Sequence, residues 1–273
     1  MENLKSIWLN ELTWEDVEEY LKEDDIAIFP VGSLEQHGPA GPLGVDSYAA
    51  IALAEDTAKR TNVLSTPPLW FGDSVHHLAF PGTVSLSTET LINVVKDVIR
   101  SLARHGFKKV LIINGHKGAN LAALETACKN IREFELPEVI LAIADPMHIA
   151  KGIAGEIKDF KEHHAGELEI SHVMHKFPGL VKEDKLTEEV VDLASIFSPL
   201  VAEDLLGPSG DTINMPWNSY EQKKFAPSGS FSPSMKASTK KGKKYHDYMV
   251  DRLVDFINHL KNYQGPIGNT AKK

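Results

Sequence analysis

The sequence predicts an α/β fold, a mainly parallel sheet with helices on both faces. Two observations carry this. From residue 26 to 145, short apolar runs alternate with amphipathic segments of helical period. No tight hairpin signal joins one apolar run to the next, so consecutive strands must be linked by crossovers.

The elements follow in order. Thr13-Trp14-Glu15-Asp16 reads as a helix start, with Thr13 as cap and acids in the first turn, running to about Lys22. Ile26-Ala27-Ile28-Phe29 is a buried strand, and the glycines and prolines of residues 30–46 make a loop. A helix leaves that loop directly after Asp46 and extends to Arg60, and Val63-Leu64-Ser65-Thr66 is a second strand. Residues 72–86 are irregular. Ser87 caps a long helix whose inner face is Leu91, Val94, Val95, Val98, Ile99 and Leu102, and Gly106 ends it. Lys109–Asn114 is the clearest strand, a helix resumes at about Asn120, and Val139–Ala144 is another strand. A helix-rich stretch leads to His163-His164-Ala165-Gly166-Glu167. Residues 194–238 are rich in Pro, Gly and Ser, with Trp217, Tyr220 and Phe225 interspersed. A segment of that length and weak periodicity is usually functional or holds subunits together. A final helix spans residues 240–263. One domain over 1–263 and a frayed, flexible tail at 264–273 complete the expected organisation.

Composition excludes several classes. Of 273 residues, 42% are hydrophobic, enough for a substantial core. The net charge of −9 gives no electrostatic footprint for nucleic acid. The basic cluster Lys236–Lys244 reads as a solvated helix start. The one cysteine, Cys128, lies in a helical pattern and reads as a buried, inert thiol. No run approaches the ~18 apolar residues that span a bilayer, and the first residues lack a signal-peptide pattern. A cytoplasmic protein acting on a small molecule, with neither nucleic acid nor membrane as partner, is expected.

Side chains that bind metals collect near strand ends, where ligands gather in parallel sheets. Glu35 and His37, two apart, point to the same side in extended backbone, and Asp46 follows nearby. His116 follows the Lys109 strand and a glycine. His164 and Glu167 are three apart and share a face if they open a helix. Each has a plainer reading alone: a solvated turn, a satisfied histidine, a helix-capping acid. His77 reads equally as a partner of the site or a structural histidine. Gly115 to Gly118 resembles a loose phosphate turn but lacks the P-loop's Lys-Ser/Thr. Together, two histidines and three carboxylates make a mixed nitrogen–oxygen set suited to zinc, manganese or iron. A shared carboxylate could hold two ions roughly 3.5 Å apart, a pair that supplies hydroxide at neutral pH and polarises a carbonyl. His164 is then the free candidate to move a proton.

Gly32-Ser33-Leu34-Glu35-Gln36-His37-Gly38 followed by Leu43-Gly44-Val45-Asp46 resembles the opening motif of the creatininase (creatinine amidohydrolase) family. Ser74 to Thr83, with His77 and Phe80-Pro81-Gly82-Thr83, fits next in order. Asn114-Gly115-His116, then His164-Ala165-Gly166-Glu167 with Glu169, and residues 229–242 follow. The resemblance implies a three-layer α/β/α sandwich with two divalent metal ions per subunit (zinc, manganese or iron), usually in a homohexamer. It implies that Glu35 and His116 bind one metal, His37 and Glu167 the other, and that Asp46 bridges them. His164 would carry the proton, and Glu169 would assist from just outside the ligands.

Members that hydrolyse creatinine place Tyr-Glu-Asn after Gly-His and stack their substrate between tryptophans near the His-Ala-Gly motif. This chain has Lys117-Gly118-Ala119, with Asn120 one place later than in the more usual Gly-His-Gly-Gly-Asn, and Phe160 is the aromatic near the motif. The implied enzyme is a binuclear amidohydrolase that opens a C–N bond in a cyclic amide or formamide-type molecule other than creatinine. A hydrolase opening a C–C bond in a cyclic, polyol-derived diketone is the alternative. A phosphoesterase, with Lys117 as the one basic residue near a motif, ranks below both. A non-catalytic relative would lack a ligand, and all five candidates are present.

Overall fold

The structure, a computed structural model, describes residues 5–117, 119–201, 204–207 and 211–265. Residues 266–273 of the expected tail, and Gly118 in the loop after His116, lie outside the described residues.

Thr13 caps helix α1 (Trp14–Leu21), accepting from the Asp16 amide while Asp16 accepts from the Thr13 amide. Strand β1 (Ile26–Val31), helix α2 (Val45–Thr61), strand β2 (Leu64–Ser65) and helix α3 (Thr88–His105) follow. Strand β3 (Lys109–Asn114), helix α4 (Leu121–Phe134) and strand β4 (Ile140–Ala144) complete the alternating part. Then come α5 (Pro146–Ile149), α6 (Lys151–Ile157), α7 (Glu167–Lys176), α8 (Leu193–Ile196), α9 (Ser219–Phe225) and α10 (Thr239–Lys261). Strand β2 is shorter than its apolar run because Pro67 and Pro68 follow at once and have no amide to donate.

The sheet runs β2-β1-β3-β4, and every pairing is parallel. Side chains alternate through it. Ile26, Ile28, Leu111 and Ile113 face one layer, with Leu53 of α2, Ala154 of α6, Leu168 of α7 and Met249 of α10. Ala27, Phe29, Val110 and Ile112 face the other, with Tyr20 of α1, Leu91 and Ile99 of α3 and Leu124 of α4. Helix, sheet and helix therefore form three layers. Each fully buried Ile or Leu contributes ~1.5–3 kcal/mol by leaving water.

The chain steps from β1 outward to β2, then returns across β1 to β3 and outward to β4. Strand order therefore reverses between β1 and β3, and the crevice beyond their carboxyl ends is where such sheets bind ligands. The register aligns Val31 with Asn114. The loop carrying Glu35 and His37 and the one carrying His116 thus leave the sheet side by side.

The 194–238 segment builds a satellite cluster. Phe197, Trp217, Phe225 and Phe231 pack ring against ring with centroids 5.4–5.9 Å apart. The Lys236–Lys244 stretch is more than a solvated helix start: Lys241 pairs with Glu167 and Asp159. Cys128 is a half-buried free thiol on α4, and burial pushes its pKa up to about 12, so it is unreactive. No helix among the described residues is long and apolar enough to cross a membrane.

Candidate metal centre

Asp46 sits within the first turn of α2, because the helix begins at Val45. Its two oxygens face two imidazoles. Asp46 Oδ1 lies 3.3 Å from His37 Nε2, and Asp46 Oδ2 lies 3.2 Å from His116 Nδ1. Each ring's other nitrogen already has an acceptor: His37 Nδ1 donates to the Glu35 carbonyl at 3.3 Å, and His116 Nε2 to the Asp73 carbonyl at 3.1 Å. These partners assign the tautomers. The nitrogens aimed at Asp46 then carry lone pairs, so on each side a lone pair meets a carboxylate oxygen. A proton or a metal cation between them makes that arrangement favourable.

The buried atoms left without a hydrogen bond agree. They include Glu35 Oε1, His37 Nε2 and Asp46 Oδ2, three atoms of one cluster, and unmet buried polar atoms are costly. Three donor groups overlap here: Glu35 with His76 and His116, Glu35 with His37 and His164, and His37 with Asp46 and Glu169. A nitrogen–oxygen donor set of this kind fits zinc, manganese or iron.

The electrostatics report the same demand. Burial opposes charge on His37 and His116. The Asp46 carboxylate outweighs it at His37, and Glu35 with Asp46 at His116, raising them to about 9 and about 10. Burial raises Glu35 to about 7 despite the His116 charge. The cluster holds protons where it would otherwise hold cations.

Glu35 is braced from several sides. Ser74 donates to its Oε2 at 2.6 Å. Gln222 donates to His77 Nδ1 at 2.6 Å, which leaves His77 Nε2 facing Glu35 Oε1 at 3.3 Å. His77 is thus a partner of the site. His164 Nε2 lies 2.8 Å from the Gln36 carbonyl and 2.9 Å from the Gln36 side-chain nitrogen; in the tautomer that donates to the carbonyl, Nδ1 is open and lies 3.5 Å from Glu35 Oε1. Burial, and then the charge on His37, hold His164 neutral, well below the ordinary histidine value.

Glu167, a ligand by the family resemblance, lies apart from the other donors. Although it opens α7, its Oε2 accepts from the Asp159 amide at 2.8 Å and its Oε1 pairs with Lys241, away from the other donors. Glu169, expected just outside the ligands, joins His37 and Asp46 in a candidate donor group. Its Oε2 lies 3.9 Å from His37 Nε2 and accepts from the Ala165 amide at 2.8 Å. The physical reason is the turn before α7. Ala165 is left-handed (φ 57°), and buried Glu162 accepts from the amides of Leu168 and Glu169 at 3.1 Å. Glu162, not Glu167, therefore occupies the helix N-terminus, and the first turn rotates Glu169 inward. A left-handed alanine costs energy and marks a constrained site.

Lys117 extends inward rather than to solvent. Its side chain is 7% exposed, and Nζ lies 3.0 Å from Glu169 Oε1, off the line of a hydrogen bond. Asn120 ties three loops together: its amide nitrogen donates to the Gly32 carbonyl at 3.0 Å, and its oxygen accepts from the Asp73 amide at 2.9 Å.

The cluster opens into a cavity of about 70 Å³ lined by His76, Lys117, His164, Trp217 and Phe231 among others. It continues outward into a volume of about 500 Å³ with apolar walls from Met147, Ile213, Met215 and Pro216. Sequence reasoning missed His76, Gln36, Gln222 and Glu162. The His76-His77 pair was visible, but a lone side-chain amide or a capping acid far from its helix leaves no periodic signal. Trp217 and Phe231 line the pocket in place of Phe160, brought there by the 194–238 segment.

A family model described as creatininase, creatinine amidohydrolase, matches residues 10–257. A creatinine amidohydrolase of Pseudomonas putida is 32% identical over 202 residues, 67% of this chain and 77% of that protein. A 3-dehydro-scyllo-inosose hydrolase of Thermotoga maritima is 30% identical over 191 residues, 67% of this chain but only 60% of that protein's length. A solved structure titled "Creatininase Mn" superposes with a TM-score of 0.77 at 26% identity, covering 95% of this chain and 100% of that one.

Proposed function

Because the chain belongs to the creatininase family, we propose that it is a hydrolase with two divalent cations, one on each side of Asp46, acting on a cyclic amide or formamide-type small molecule. One observation carries the binuclear reading: each Asp46 oxygen opposes an imidazole nitrogen whose partner nitrogen is already a donor. Glu35, His116 and Asp46 Oδ2 would hold one ion; His37, Glu169 and Asp46 Oδ1 would hold the other. Manganese, zinc and iron all suit these donors, and manganese and zinc forms both stand among the similar structures. Bound there, divalent ions make water acidic enough to attack at neutral pH and polarise the scissile carbonyl.

The chain's own residues do the rest. His164 presents an unprotonated Nδ1 to the site. It takes the proton released as water adds to the carbonyl carbon. It returns that proton to the departing nitrogen as the C–N bond breaks, leaving an amine and a carboxylic acid, which ionises at neutral pH. Gln36 fixes the ring through its carbonyl. His77 holds Glu35 in place. Trp217 and Phe231 wall the pocket and exclude water. The departures after His116 and near His164-Ala165-Gly166 favour a substrate other than creatinine. Lys117 is engaged by Glu169, which disfavours a phosphate clamp.

A second reading has support. The Thermotoga relative is named as an inosose hydrolase, and the same attack on a carbonyl opens a C–C bond in a cyclic diketone. The test loads metal-free protein with manganese or zinc and screens cyclic ureides, formamides and inositol-derived ketones. Turnover of the first two classes, abolished by chelation and in His164→Ala with metal content unchanged, is the expected result. Turnover of the ketones alone supports the second reading. Protein that binds no divalent metal overturns both. Assembly into a homohexamer belongs to the same proposal, and sedimentation of the purified chain checks it.

A further inference from the structure

Lys117 is a charged feature of the metal centre that the proposed reaction leaves unused. It directly follows a proposed ligand, His116, yet its ammonium turns back into the protein. Nζ stands 3.0 Å from Glu169 Oε1 with the side chain 7% exposed. Nζ makes no hydrogen bond, and Glu169 Oε2 is held by the Ala165 amide at 2.8 Å and faces His37 Nε2 at 3.9 Å. The carboxylate proposed to complete the second half-site is therefore already neutralised by a fixed cation. Among the described residues, no lysine or arginine pairs with Glu35 or Asp46 in the other half-site. Glu35 is met by a hydroxyl, Ser74, at 2.6 Å and by imidazoles, and none of these carries a permanent charge.

Resting on the binuclear reading above, we propose that Lys117 makes the two half-sites unequal: the site of Glu35, His116 and Asp46 fills first, and the site of His37, Asp46 and Glu169 binds its ion more weakly because Lys117 already sits on Glu169. A divalent ion entering the second half-site shares one carboxylate with an ammonium in a poorly screened interior. Two like charges in contact with one carboxylate repel by an amount worth orders of magnitude in affinity. At limiting metal the protein would then hold one ion, with the ammonium supplying positive charge where the second would bind.

The experiment titrates metal-free protein with Mn²⁺, following free Mn²⁺ by its electron paramagnetic resonance signal and total bound metal after gel filtration. Wild type is expected to bind two ions in two steps at least tenfold apart. Lys117→Met should tighten the second step at least tenfold and leave the first nearly unchanged. Lys117→Arg, which keeps the charge, should retain the split. Far-UV circular dichroism of each variant verifies the fold, and Lys117→Gln replaces Lys117→Met if the latter does not fold. Equal affinities in wild type, or a second step unchanged or weakened when the charge is removed, overturn the proposal and leave the binuclear reading standing. Wild type that takes up no Mn²⁺, or only one ion at saturation, removes the binuclear reading itself.

Discussion

At the scale of single residues, the sharpest contrast lies between two glutamates two residues apart in the first turn of α7. Glu169 faces His37, and Glu167 faces Lys241 and the Asp159 amide. Glu169→Gln should lower bound metal to about one ion per chain, measured by elemental analysis, with little loss of thermal stability. Glu167→Gln should leave metal content unchanged and cost ~1–3 kcal/mol of stability by weakening a buried charged interaction, measured by chemical denaturation. A loss of metal in Glu167→Gln would restore it to the ligand set. The sequence made Glu35, His37, Asp46 and His116 legible, since a strand, a short loop and a helix start constrain where they go. It could not separate Glu167 from Glu169. That choice depends on Glu162, five residues before Glu167, capping the helix, and on one left-handed alanine. Neither leaves a signal in spacing or hydrophobic period.

At the scale of elements, α2 and β3 meet more closely than side chains normally permit. A Cβ on Gly115 would lie 1.9 Å from the Asp46 carbonyl oxygen. The absence of a side chain there lets the end of β3 touch the first turn of α2, and this brings His116 against Asp46. Gly115→Ala should push the two apart. The expected outcome is weaker metal binding together with a stability loss of ~1–3 kcal/mol or more, read by metal titration and thermal melting on the same sample. Unchanged metal affinity would show that the glycine serves packing alone. The alternation of strands and helices was readable because the period changes from run to run. The placement of residues 194–238 was not, since their rings pack by tertiary contact without any repeat.

At the scale of the whole molecule, buried histidines couple stability to pH. Burial, reinforced by neighbouring histidines, lowers His77, His164 and His172 well below their ordinary value. His172 Nε2 meets His246 Nδ1 at 2.9 Å, and His246 Nε2 meets Asp56 Oδ2 at 2.8 Å. A histidine held neutral in the folded state takes up its proton first when unfolded. These groups therefore leave stability intact above about pH 6.5 and erode it as pH falls below that value. His37 and His116, raised, act in the opposite sense, so the test is the difference: between pH 7 and pH 5 the wild-type melting temperature should fall more steeply than that of His172→Asn. A slope identical in the variant would assign the effect to other groups. If residues 1–263 form one unit, melting should also show a single transition by circular dichroism and tryptophan fluorescence alike.

The seating of α7 sets an order of events during synthesis. Glu35, His37 and His116 lie on the loops after β1 and β3, and Asp46 in the first turn of α2, all of which leave the ribosome early. Glu169 rides on α7, which packs against α10 and is fastened there through Glu167 and Lys241. Domains fold as the chain emerges from its N-terminus. A nascent chain would therefore display four of the five proposed metal-binding side chains more than a hundred residues before α10 arrives to fix the helix that carries Glu169. Metal supply during translation, and not only after it, would then decide which ions the finished protein carries.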